Sequence, residues 1–315
     1  MRNRSDQDHA ALLPADHGRP GFCQGNIRHR HRQAVFAGYG RRTPKLREET
    51  RMTYQTLRFE EPETGVGLAT LNRPERLNAM GLEMLDDLNA LYRELDQRDD
   101  LRVLILTGAG RGFCSGADIR DKRLLGEEGL RYFSSAALHL EHIQKRYSDV
   151  ILGLRRLAQP VIAAVNGVAA GGGLCLALAA DIILASPEAR FIPSFINIGL
   201  SGGELGTSYF LPRLVGTARA AEILMTGRSV DGLEADRIGL VSRLVDADTL
   251  MDSALDTART LLSKTPFGLR MTKVALRQNL NAPSLESAIE FENRNQSIGC
   301  TTEDFFNAVA AFSKT

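Results

Sequence analysis

The stretch VAAGGGLCLALAADI, from Val168 to Ile182, constrains this chain more than any other. Three glycines, Gly171 to Gly173, open a run that otherwise reads as a buried apolar helix. A glycine inside a helix costs roughly 0.5–1 kcal/mol relative to alanine, so a run of them needs a physical reason. Just before it stands PVIAAVNG, Pro160 to Gly167, an apolar run rich in β-branched residues that predicts a buried strand. Strand, glycine turn and helix follow one another. Glycines let a backbone approach a ligand closely. The first amides of a helix are unpaired and point outward at the positive end of its dipole.

The same design is expected earlier, in RVLILTGAGRGFCSGADI, Arg102 to Ile119. Two outward amides from such turns, converging on one point, would hold an oxygen that becomes negative during a reaction. A dinucleotide site is the competing reading, because GAGRG at 108–112 approaches GxGxxG. Its third glycine is misplaced and no helix begins at once. No GxxxxGK[ST] phosphate loop occurs.

Around these turns, YQTLRFE (54–60), VGLATLN (66–72), DIILAS (181–186) and ARFIP (189–193) predict further strands. The run 80–97 predicts a helix with Leu85, Leu88, Leu91 and Leu95 on one side. A long helical stretch is expected from about Leu124 to Leu157. Beyond Leu250 only helices are expected: Leu250–Lys264, Gly268–Leu280, Ser284–Ile298 and a last one opening at TTED, with acids over its N-terminus. Strand-strand-helix units followed by helices alone predict an α/β core with a C-terminal helical subdomain.

Charge is unevenly spread. Residues 1–52 hold 11 Lys/Arg against 5 Asp/Glu, and the rest hold 28 against 33. The first segment lacks sustained periodicity and reads as a basic, disordered extension, or as sequence upstream of a true start at Met52. The slightly acidic body argues against a nucleic-acid partner. No run of 18 apolar residues exists, so no membrane span is expected. Cys23, Cys114, Cys175 and Cys300 lie far apart without a CxxC pair, which fits reduced thiols in a cytoplasmic protein and gives no metal site. Four of the six histidines fall in residues 1–52, so histidine chemistry in the body rests on His139 and His142 alone.

RGFCSGADI (111–119), PVIAAVNGVAAGGG (160–173) and LAADIILAS (178–186) resemble motifs of the crotonase family, the enoyl-CoA hydratases and isomerases. NRPERLNAM (72–80) resembles that family's CoA-contacting loop, and 226–245 the segment leading into its last helices. The resemblance runs from Thr53 to Thr315. It implies a crotonase-like spiral of ββα turns over 53–250 and a C-terminal helical trimerisation subdomain over 251–315, hence a homotrimer or a dimer of trimers. It also implies an acyl-CoA thioester as substrate, with coenzyme A part of that substrate and no separate cofactor. The oxyanion donors would be the amides of Ala117 and Gly172. The CoA contacts would be Arg76, Leu77 and Ala79 on one loop and Ala117, Asp118 and Ile119 on the other. Arg76 would meet a CoA phosphate, and Asp118 would support its loop.

The hydratases of that family hold water with two glutamates. The first follows the glycine run by two residues, where this chain has Cys175, and the second falls in a segment matching FIPSF, where it has Phe195. Neither does carboxylate work, and a buried thiol stays neutral. One acid remains nearby, Glu204 in IGLSGGELGTSY (198–209). A single acid beside an oxyanion hole moves a proton from one carbon to another, so double-bond isomerisation is favoured. Two alternatives stay open: a weak or atypical hydratase, with water placed by Glu204 alone or by Ser201 and Ser208, and a non-catalytic acyl-CoA-binding protein. Cys114 and Cys175 read as inert packing rather than a reactive pair. His139 and His142 read as surface or lining residues, and Tyr132, Phe133 and Tyr147 as shapers of the acyl pocket. No motif fixes the acyl group.

Overall fold

The computed structural model describes residues 53–312; the basic segment 1–52 and residues 313–315 lie outside them. The strands are β1 (Leu57–Glu63), β2 (Val66–Leu71), β3 (Val103–Gly108), β4 (Gly112–Cys114), β5 (Val161–Val165), β6 (Val168–Ala170), β7 (Ile182–Ala185), β8 (Arg190–Ile192), β9 (Val230–Asp231) and β10 (Arg243–Leu244). The longer helices are α1 (Leu82–Leu95), α2 (Lys145–Arg156), α3 (Gly172–Ala179), α4 (Thr207–Val215), α5 (Thr217–Thr226), α6 (Gly232–Arg237), α7 (Leu250–Leu262), α8 (Pro266–Asn279), α9 (Leu285–Gly299) and α10 (Glu303–Phe312).

The strands form two sheets. One has the order β1-β2-β3-β5-β7-β10 and the other β4-β6-β8-β9. All neighbours are parallel except β1 with β2 and β8 with β9. The chain passes from a long-sheet strand to a short-sheet strand and then to helical structure, and repeats this, which winds it into a spiral of ββα turns. Alternation explains why β3 and β5 read as continuous apolar runs. Leu104, Leu106, Val161, Ala163 and Val165 face the main core with α1, α2 and α3. Val103, Ile105, Ile162 and Ala164 face the opposite side, where Leu250, Ala254 and Ala258 of α7 cover them.

Two expectations shift. The strand expected from Tyr54 begins at Leu57, because the Gln55 and Thr56 amides donate to Asp87 Oδ2 at 2.9 and 2.7 Å and leave the ladder. The continuous helix expected from Leu124 to Leu157 is broken. Asp121 caps a piece at Lys122–Leu125, Gly126 ends it in an extended conformation, and Ser135 caps another at Ala136–His139. A π-helical turn, Leu140–Gln144, then leads into α2.

From Pro266 onward the helices keep large apolar side chains in the open: Leu276, Leu285 and Phe306 are 66%, 70% and 61% exposed. One ion pair, buried at its lysine end, ties them back. Lys273 of α8 reaches Asp181 Oδ2 at 2.7 Å and donates to the Gln159 carbonyl at 2.7 Å. No helix among the described residues is long and apolar enough to cross a membrane.

Candidate active site

The two glycine turns meet, but only one of them as the sequence led us to expect. Gly172 opens α3 directly, with Gly171 at φ +50° before it. Only glycine enters that region of φ without strain. A Cβ on Gly173 would lie 2.0 Å from the Cys114 carbonyl oxygen, so the turn can close on β4 only without a side chain. The Gly172 amide thus stands in the first turn, where helical amides lack partners.

Ala117 is not at a helix N-terminus; it lies in the loop between β4 and the next helix, which starts only at Lys122. A lone parallel bridge frees its amide instead. Met80 donates to the Gly116 carbonyl at 2.7 Å and accepts from the Asp118 amide at 3.0 Å. Its neighbours' peptide groups face Met80, so Ala117's own N–H points the other way. No hydrogen-bond partner for it occurs among the described residues. The loops abut: a Cβ on Gly116 would lie 3.2 Å from the Gly172 nitrogen. Tyr147 braces the bridge from behind, its buried hydroxyl donating to the Met80 carbonyl at 2.9 Å.

A cavity of about 610 Å³ opens on this junction. Arg76, Leu77, Ala79, Ala117, Asp118 and Ile119, the six residues expected to contact CoA, all line it. Arg111 and Arg120 line it too, and sequence reasoning passed over both. They flank GFCSGADI, and that position was the available signal. Arg76, Arg111 and Arg120 have no ion-pair partner among the described residues; Glu75, also in the lining, offsets one of these charges, and the cavity keeps a net positive charge. Asp118 does not offset it. Its buried carboxylate is held by Arg73 at 2.9 Å and accepts from the Arg120 amide at 3.0 Å.

Cys175 is sealed. Its thiol is fully buried, donates to the Gly171 carbonyl at 3.2 Å, and burial pushes its pKa well above the ordinary thiol value, with the Glu204 charge adding to this. Burial likewise pushes Cys114 up to about 12. Phe195 lies over Gly171, its ring edge 3.6 Å from where a Cβ would be, and lines the cavity wall.

Glu204 sits in the loop between Gly199 and α4, packed on the start of α3. Its carbonyl accepts from the Cys175 thiol at 3.6 Å, and the next residue, Leu205, lies 3.8 Å from a Cβ position on Gly172. Thr207, fully buried, holds the loop: its hydroxyl accepts from the Glu204 amide at 2.9 Å and donates to the Gly202 carbonyl at 2.8 Å. Gln144, in the π-helical turn, donates from its side-chain amide to Glu204 Oε1. No protein partner for Oε2 occurs among the described residues. Nothing in the sequence marked Gln144 or Thr207.

Ser201 and Ser208 are exposed, and Ser201 is engaged by the Gly203 amide. Tyr132 stacks on His142 with centroids 4.6 Å apart, and Phe133 meets His139 at 5.0 Å. These four lie away from the cavity described above. Tyr147 supports the site from behind rather than lining it.

A model of the enoyl-CoA hydratase/isomerase family matches residues 61–315. A Mycobacterium tuberculosis protein named "probable enoyl-CoA hydratase EchA12" is 43% identical over 285 residues, 90% of this chain and 95% of that protein. The 1,2-epoxyphenylacetyl-CoA isomerase of Escherichia coli is 35% identical over 250 residues, 79% of this chain and 92% of that one. Among solved structures, a monofunctional enoyl-CoA isomerase from M. smegmatis superposes with a TM-score of 0.63 at 43% identity, covering 75% of this chain and 99% of its own.

Proposed function

The chain belongs to the enoyl-CoA hydratase/isomerase family, and from that premise we propose that its main reaction is migration of a double bond along an acyl-CoA rather than addition of water. The thioester oxygen sits between the Ala117 and Gly172 amides. Loss of a proton from C2 of a 3-enoyl-CoA sends an electron pair into a dienolate, whose oxygen takes up the negative charge. The two N–H groups hold that charge, and one such donor is worth about 2.7–4 kcal/mol. Glu204 takes the C2 proton through Oε2 and returns it to C4. The double bond ends between C2 and C3, conjugated with the thioester. The proton is conserved and no water enters.

One observation supports this reading: Cys175 and Phe195, at the positions that the resemblance assigns to the two water-holding glutamates, are a sealed thiol and a phenyl ring, while Glu204 keeps an oxygen without a protein partner among the described residues. The likeness to the M. smegmatis enoyl-CoA isomerase supports it. Arg76, Arg111 and Arg120 bind the CoA phosphates, while Leu77, Ala79 and Ile119 flank the adenine. CoA belongs to the substrate, and the scheme uses no further cofactor. The exposed apolar residues of α8 to α10 favour a homotrimer or a dimer of trimers. The unpaired thiols favour a cytoplasmic location.

The test is incubation with a 3-enoyl-CoA, following absorbance of the conjugated 2-enoyl product, with hydration of crotonyl-CoA measured beside it. Isomerisation should dominate, and Glu204→Gln should lower it about 10²-fold or more. An unchanged rate in that variant would remove Glu204 from the mechanism. Faster hydration than isomerisation would overturn the assignment.

A further inference from the structure

A second cavity, of about 510 Å³, lies beyond Glu204, between α2, α4 and the end of α8. Both elements that hold the Glu204 carboxylate continue into its wall. On the helix, Gln144 is followed on the same face by Ser148, Ile151, Leu152 and Arg155, all four of which line the cavity. On the loop, Leu205 and Gly206 follow Glu204 directly and line it as well. The cavity therefore begins about one helical turn, or 5.4 Å, from the residue that holds the acid, and Arg155 lies about 16 Å along the axis from Gln144.

Its walls change character along that path. Ile151, Leu152, Leu205 and Phe210 are apolar. The far end gathers hydrogen-bond donors. Arg277 spends one N–H on the Arg155 carbonyl at 3.1 Å and has no ion-pair partner among the described residues. Asn281 donates to the Tyr209 hydroxyl oxygen at 2.9 Å, which leaves the Tyr209 proton free to point elsewhere. Two guanidinium groups line the cavity and no carboxylate does, although Arg155 is paired with Asp181 outside the lining.

We propose that this cavity takes the distal half of the acyl group, and that the preferred substrate is a medium-chain CoA thioester ending in a carboxylate. The inference rests on the acyl-CoA reading above and names the substrate class of that site. Arg277, with Tyr209 and Asn281, meets the terminal carboxylate, while the apolar stretch meets the methylene chain.

The experiment is calorimetric titration of the full chain with CoA, octanoyl-CoA and 7-carboxyheptanoyl-CoA, which needs no turnover. The carboxylated ligand should bind about tenfold more tightly than octanoyl-CoA, the scale of one hydrogen-bonded charge. Arg277→Met should erase that ratio, and Leu152→Trp should weaken both thioesters more than CoA. If Arg277→Met does not fold, Asn281→Ala should shrink the ratio in the same sense. Equal binding of the two thioesters by the wild type, or a ratio untouched by Arg277→Met, overturns the inference alone. Failure to bind CoA or either thioester overturns it together with the acyl-CoA reading.

Discussion

Gln144 donates a hydrogen bond to the Glu204 carboxylate across a separation of 60 residues, joining the π-helical turn before α2 to the loop before α4. That bond occupies one carboxylate oxygen and leaves the other open. If Glu204 carries the proton, Gln144→Leu should lower kcat for isomerisation about tenfold with KM within about twofold, because orientation rather than binding is lost. Thermal melting should be nearly unchanged, since Gln144 is only half-buried. A larger effect on KM than on kcat would assign Gln144 to binding instead.

The triple glycine allows a graded test. Gly173→Ala would set a Cβ against the rigid Cys114 carbonyl, whereas Gly172→Ala would meet the mobile end of Met80 at 2.2 Å. Urea unfolding should show Gly173→Ala losing about 1–3 kcal/mol and Gly172→Ala losing less. Activity should rank the other way relative to stability, because Gly172 carries one of the two unpaired amides. Equal stability losses would refute the steric distinction.

Thiol chemistry should separate the cysteines by burial. Cys300 is exposed, while Cys114 and Cys175 are buried with raised pKa values. In the native protein at pH 8, mass spectrometry after brief iodoacetamide treatment should find Cys300 alkylated and the two buried thiols intact. The same shifts set a sign for stability. The folded state keeps protons that the unfolded chain sheds from about pH 9, so stability is complete below that pH and declines above it. Each thiol takes away about 1.4 kcal/mol per pH unit there. Buried Tyr92 and Tyr147, also shifted upward by burial, add to the decline above about pH 10. Stability that rises between pH 9 and 11 would contradict this.

The Lys273–Asp181 pair should be costly to break from one side. Lys273→Met removes the buried partner but leaves Asp181, which is solvent-accessible and stays near Arg155, so the loss should not exceed the low end of the about 3–5 kcal/mol of a fully buried pair. The retained Arg155 contact at 3.1 Å places the expected loss at the lower end, readable by urea denaturation. Asp181→Asn, which strands Lys273, should cost more. An order reversed between the two variants would show that Arg155 is the dominant partner of Asp181.

Much of the fold could be read from local pattern. The β3 and β5 runs are apolar on both faces because α7 covers one face and α3 the other, and the α1 leucine stripe is buried at the predicted spacing. Patterns that depend on a distant partner did not show. The start of β1 is set by Asp87, which no period announces. The breaks before α2 come from Asp121, Gly126 and Ser135, capping residues whose weight over helical periodicity is decided by what they pack against. At the candidate site, Ala117, Gly172 and Glu204 are proposed from motif resemblance. Gln144 and Thr207 are not, because each acts through hydrogen bonds that hold Glu204 and its loop and belongs to no sequence pattern. The freeing of the Ala117 amide was also misread in its cause. A single bridge to Met80 does what a helix terminus was expected to do.

That bridge has a mechanical consequence. The Ala117 amide is aimed by Met80 and the Gly172 amide by α3, so the gap between them is a tolerance between two successive turns of the winding, held by no covalent neighbour. A slip of a few tenths of an ångström between turns spoils the pair while every strand and helix stays intact. On warming, turnover should therefore fade before circular dichroism registers any loss of structure.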